Sequence, residues 1–99
     1  MLTENVTQAV QQIITEEHRF HLREPIDLTV RHTGPYCFVG YSEFEIEGYG
    51  KDEDEALESF ADVFSATWQA YAEEDGRLSQ DARELKRRLR GLAGAVEPV

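Results

Sequence analysis

Gly48-Tyr49-Gly50-Lys51-Asp52-Glu53-Asp54-Glu55-Ala56-Leu57 joins two hydrophobic periodicities. On its N-terminal side, Phe44 and Ile46 alternate with Glu43, Glu45 and Glu47, the two-residue period of a strand with one acidic face. On its C-terminal side, Leu57, Phe60, Ala61, Phe64, Trp68, Tyr71 and Ala72 follow the three-and-four spacing of a single helix face. Asp52 is placed to cap that helix, with Glu55 three positions on as its capping-box partner. The acids of the first turn complement the positive end of the helix dipole. The block therefore predicts a strand that ends at the glycines and a helix over about residues 53–73.

Two more strands are expected before it. Ile26, Leu28 and Val30 alternate with Asp27, Thr29 and Arg31, and Tyr36 to Tyr41 is a mostly apolar run of strand length. His32-Thr33-Gly34-Pro35 between them is turn chemistry. The first 25 residues are open to two readings. Val6, Ala9, Val10, Ile13 and Ile14 recur at helical spacing, with Thr3 as a cap, which favours a helix over residues 4–17. The β-branched Val6, Thr7, Ile13, Ile14 and Thr15 weigh against it. The segment either adds a helix or extends the sheet. Pro25 disfavours a helix through Glu24, so residues 18–25 are expected to be an irregular connection. After the long helix, Glu74-Asp75-Gly76-Arg77 forms a turn, Ser79 caps a second helix over 79–93, and residues 95–99 form a frayed tail. The fold expected is α+β, one domain over 1–99. A three-stranded, mainly antiparallel sheet carries the 53–73 helix on one face, with 26–73 as the core.

Charge is distributed unevenly along the chain. Its 99 residues carry a formal net charge of −10. Residues 43–75 hold twelve acids against Lys51 alone, whereas residues 77–90 hold six bases against Asp81 and Glu84. An acidic field repels nucleic-acid phosphates and attracts cationic proteins, so nucleic acid is not an expected partner. The basic helix is expected to lie salt-bridged against the acidic one. Cys37 is the single cysteine, which excludes an intramolecular disulfide framework. No basic segment precedes an apolar run, and no apolar stretch nears about 18 residues. The expectation is a cytoplasmic protein with no membrane contact.

No residue set calls for catalysis. His18 and His21 stand three apart beside Glu17, a weak metal pattern without zinc-finger spacing. Cys37 falls in a predicted buried strand, where a free cysteine is commonly a small hydrophobe, although His32 lies across the same turn. Gly48-x-Gly50 lacks the third glycine of a dinucleotide fingerprint, and Asp52-Glu53-Asp54-Glu55 lacks the spacing of a calcium loop. No metal or cofactor is expected. Glu43, Glu45 and Glu47 remain as candidate binding residues: three acids on one strand face repel one another, so that face is solvated or meets a cationic partner.

The order of strands, glycine turn, acidic stretch, Glu-Ala-Leu and amphipathic helix resembles the N-terminal domain of HicB-type antitoxins over about residues 26–73. It is carried by the 48–57 block. Three features depart from that pattern: Asp52 stands where threonine is usual, Ser42–Glu47 replaces a proline-containing segment, and a short basic helix stands in place of the DNA-binding domain. The resemblance implies a non-catalytic module that occludes a small basic ribonuclease toxin. The alternative is a structural domain that forms a homodimer through a sheet edge.

Overall fold

The computed structural model describes residues 4–74 and 76–99. Thr3, expected as a helix cap, and Asp75 of the expected turn lie outside them. Among the described residues the fold is α+β, with one antiparallel sheet and two α-helices. The sheet has five strands rather than three: β1 (Glu4–Ile14), β2 (His18–Thr33), β3 (Tyr36–Tyr41), β4 (Ile46–Gly50) and β5 (Ala93–Pro98). Helix α1 (Glu53–Thr67) runs on into a π-helical turn (Trp68–Ala72), and α2 spans Gln80–Leu92.

The N-terminal segment extends the sheet; it does not form a helix. β1 and β2 make a long antiparallel hairpin closed at residues 15–18. There Thr15 N donates to His18 O (2.8 Å), and the Thr15 hydroxyl accepts from His18 N (2.9 Å) and Glu17 N (3.2 Å). The β-branched residues that weakened the helix reading suit the strand. Residues 18–22, expected to be irregular, are strand too. Phe20 and Leu22 point inward between the half-buried or exposed Arg19, His21 and Arg23. Pro25 is accommodated by a break in register. Gln12 pairs with His21 and Val10 with Ile26, so four residues of β2 stand against Gln11 alone. A missing N–H costs nothing where no ladder bond is due.

β2 is the shared strand. β1 pairs along one side of it, while β5 takes its first part and β3 its second part on the other. The expected frayed tail is therefore a strand, with Phe20 opposite Val96 and Ala93 buried. β4 completes the order beyond β3. The β2–β3 turn has Gly34 at φ +59°, which a residue without Cβ adopts at little cost.

Both helices cover one face of the sheet. Phe20, Leu28, Val30, Cys37 and Val39 from the sheet meet Ala56, Phe60, Phe64 and Trp68 from α1 and its π-turn, and Leu89 of α2 joins this core. Phe20 is a pivot, edge-on to Phe64 at 5.0 Å and to Trp68 at 5.5 Å between ring centroids. Asp52 caps α1 as expected, its Oδ1 accepting from Glu55 N at 2.8 Å. Glu55 reaches back one residue further than a capping box requires, to Lys51 N (3.4 Å). Ser79 caps α2 through Ala82 N (3.2 Å).

The inward positions of β4 after Ile46 are Gly48 and Gly50, and they act by more than ending the strand. A Cβ built on Gly48 would lie 2.1 Å from Phe60 N. On Gly50 it would lie 2.6 Å from Glu55 Cβ. The backbone of α1 thus rests directly on β4.

The basic helix does not clamp the acidic one. Among the described residues no arginine of α2 pairs with a carboxylate of α1: Arg87 pairs with Glu84 in its own helix, and Arg88 approaches Glu43 at 3.9 Å. Arg90 Nε donates to Ala72 O (2.8 Å) and Lys86 Nζ to Glu74 O (2.6 Å). Cations at the carbonyl end of a helix satisfy orphan acceptors and complement the dipole.

Candidate interaction surfaces

Glu43, Glu45 and Glu47 do not share a strand face. Ser42–Phe44 is a 3-10 turn, and Glu45 is left-handed (φ 55°, ψ 37°), its N–H donating to Ser42 O at 3.2 Å. Only at Ile46 does the strand begin. The reversal turns the Phe44 ring onto Tyr41 (5.4 Å), with the Arg88 guanidinium 5.1 Å from its centroid. Alternation in sequence here reflects a turn that buries Phe44 in part, not a continuous strand. Glu43 accepts from the Tyr41 hydroxyl (3.0 Å); burial first, and then this bond, push that phenol up. Glu47 does lie on β4, facing outward and 3.7 Å from Arg31. Glu45 is exposed.

The histidines are dispersed. His18 and His21 lie on β2, where a spacing of three puts them on opposite faces. His21 pairs with Glu97 across the β2–β5 ladder, and that bond holds the Glu97 carboxyl below its ordinary value. His18 Nδ1 is buried without a partner, the ring resting near Phe20. Among the described residues no three His, Cys, Asp or Glu side chains converge as metal ligands. Cys37 is fully buried opposite His32 in the ladder, but the His32 ring is directed to Glu53 (3.3 Å). Burial first, then Glu53 and Asp52, push the Cys37 thiol up, which opposes a nucleophilic thiolate.

The sheet and α1 do leave a continuous groove between them. α1 is centred over β4 and β3, so the helix-side face of β1 is only partly covered: Val6, opposite the inward Val30, is 52 % exposed, and at the hairpin end Ile14, opposite Arg19, is 49 % exposed. Two adjoining depressions of about 250 and 540 Å³, sharing Ile14 and Glu58, run along this margin. Val10, Ile13 and Ile14 of β1 and Leu57 and Ala61 of α1 supply apolar lining. Around it stand Asp54, Glu58 and Asp62, one per turn of α1, and Glu16 and Glu17 at the hairpin tip. None of these five carboxylates is ion-paired with another described residue. No helix among the described residues is long and apolar enough to cross a membrane. Sequence reasoning missed this margin because it left Val10, Ile13 and Ile14 open between helix and strand and favoured the helix. The available signal was the run from Asn5 to Thr15, which has many β-branched residues and no charge, glycine or proline.

A second exposed surface lies on the outer face of the sheet. Arg31, Phe38 and Tyr49 form one cross-strand row, with the guanidinium 4.6 Å from the Phe38 centroid. Tyr36 adds an edge contact to Tyr49 at 6.3 Å. Tyr36 and Tyr49 remain 49 % and 61 % exposed.

Comparison with protein-family models, curated proteins and solved structures finds no match to this chain.

Proposed function

We propose that this chain is a non-catalytic binding module for a cationic protein, of the kind an antitoxin-like inhibitor of a small basic ribonuclease would be. One observation carries the reading: five carboxylates border an apolar groove, and none has a cationic partner among the described residues. Such a margin repels itself in the free protein and gains when cations arrive. Glu45 adds to the acidic field from the far edge of the sheet, but Glu43 is already engaged by Tyr41 and Arg88, and Glu47 by Arg31.

The test is co-expression with the product of the adjoining reading frame. A small basic protein that co-purifies in a salt-sensitive complex supports the proposal. The complex should weaken on Asp54→Lys/Glu58→Lys/Asp62→Lys far more than on Glu43→Lys/Glu45→Lys/Glu47→Lys. A complex indifferent to salt and to both triple reversals contradicts it. The second reading, a homo-oligomerising structural domain, draws on the exposed aromatic face. Tyrosine, phenylalanine and arginine are enriched at interfaces. Sedimentation of the purified chain as a dimer that Tyr49→Ala dissociates would move the assignment there.

A further inference from the structure

We infer that the partner docks as an added strand: an extended segment with lysine or arginine at every second position pairs with the open edge of β1. This rests on the proposed binding of a cationic protein and specifies where and how it occurs.

The edges of the sheet differ in how they are protected. β4 is five residues long, with Glu47 and two glycines, and β5 is six, with Gly94, Glu97 and Pro98. Short length, charge and proline are the usual means of preventing strand addition. β1 has eleven residues, pairs on one side only among the described residues, with β2, and carries no charge, proline or glycine from Asn5 to Ile14. An exposed edge of that length, roughly 36 Å at 3.3 Å per residue, presents a row of unused N–H and C=O groups.

The groove states what the incoming side chains should be. Its lining advances in step along both elements, from Val10 with Asp54 at one end to Glu17 with Asp62 at the other. Helix α1 therefore runs alongside β1. Carboxylates four residues apart on a helix recur about every 6 Å, and alternate side chains of a strand about every 6.6 Å. Alternate cations on an added strand match that spacing over three positions. Lysine and arginine also suit both surfaces, because their stems cover apolar groups while their heads reach the rim. A second copy of this chain fits the edge less well: its β1 would bring no cation to the five carboxylates.

The probe is a fluorescein-labelled twelve-residue peptide alternating lysine with threonine, titrated against the full chain at low salt and followed by anisotropy. Two versions carry backbone N-methyl groups on alternate residues, one for each hydrogen-bonding edge of the strand, and a third has its lysines grouped at one end. We expect the alternating peptide to bind and to protect β1 amides from hydrogen exchange. One N-methylated version should bind at least tenfold more weakly, as should the grouped peptide. Asp54→Lys/Glu58→Lys/Asp62→Lys should weaken the alternating peptide by a similar factor. Equal binding of all four peptides without protection of β1 would overturn strand addition while leaving cation binding intact. No binding by any peptide would overturn both. A free chain that sediments as a dimer, and becomes a monomer on Ala9→Lys, would show that a second copy takes the edge and would overturn the inference.

Discussion

Replacing Gly48 by alanine should separate the long helix from the sheet. The added Cβ would meet Phe60 N at 2.1 Å, Phe60 Cα at 2.6 Å and Ser59 C at 2.6 Å, whereas ordinary contact begins near 3.4 Å. All three obstacles are helix backbone, so no rotamer change relieves them. α1 must retreat by about 1.3 Å, drawing Phe60 and Phe64 away from the inward side chains of the sheet. Overpacking of this kind costs about 1–3 kcal/mol, and here the upper end applies because backbone moves against backbone. Loss of unfolded-chain freedom on Gly→Ala returns roughly 0.4–1 kcal/mol. A net loss of about 2–2.6 kcal/mol remains, a large fraction of the roughly 5–15 kcal/mol that holds a domain of this kind. At about 4–8 °C per kcal/mol, the melting midpoint should fall by at least about 8 °C. Gly91 is the control. It lies in α2 with nothing within 4 Å of a built Cβ, so Gly91→Ala should raise stability by up to about 1 kcal/mol. Thermal unfolding followed by far-ultraviolet circular dichroism reads both. A Gly48→Ala protein melting within about 3 °C of the parent would refute direct helix-on-strand contact.

Removing the α1 cap with Asp52→Ala should cost about 1 kcal/mol, and Asp52→Thr should restore most of it, because a hydroxyl can still accept from Glu55 N. Urea midpoints in which the two variants fall together would contradict the capping role. Glu97 predicts a pH effect on β5. Its carboxyl is held below 4.5 by the His21 hydrogen bond, so its contribution is present above that value and is lost as pH falls through the lower, folded one. Protection factors of β5 amides, compared with those of β3, should drop below about pH 4.5, and Glu97→Gln should abolish that acid-specific drop.

Much of the second half of the chain was legible because local and tertiary signals agree there. Asp52 and Ser79 cap the helices expected of them, and the Leu57–Ala72 stripe faces the core, with Leu57 and Tyr71 at its margin. The first 25 residues were obscured by two features. Val6, Val10 and Ile13 satisfy helical spacing as well as strand spacing, since a bulge at Gln11 breaks the two-residue period. Pro25 marks an interruption within a strand that continues on both sides of it. The alternation of Phe20 and Leu22 with Arg19, His21 and Arg23 was the readable clue. At Glu43–Glu47 the reverse occurred: perfect alternation concealed a left-handed residue. Glutamate at positive φ has no local signature, and only the ring of Phe44 packing on Tyr41 explains why the chain turns there. The margin between β1 and α1 was hidden for the same reason as β1, because a groove between two elements is legible only after both are assigned.

The shared strand β2 orders events in time. Its first part needs residues 93–98 as a neighbour, more than seventy positions away, while its other partners arrive by short hairpins. Closing so long a loop carries an entropic cost that later contacts must offset. During synthesis from the N-terminus, β1 through β4 and α1 emerge first and have the local contacts to assemble. Until β5 emerges, residues 18–22 present a second open edge, next to a chain already rich in hairpins. Encounters between nascent copies on one messenger are then most hazardous at that edge, and the docking of β5 is the step that removes it.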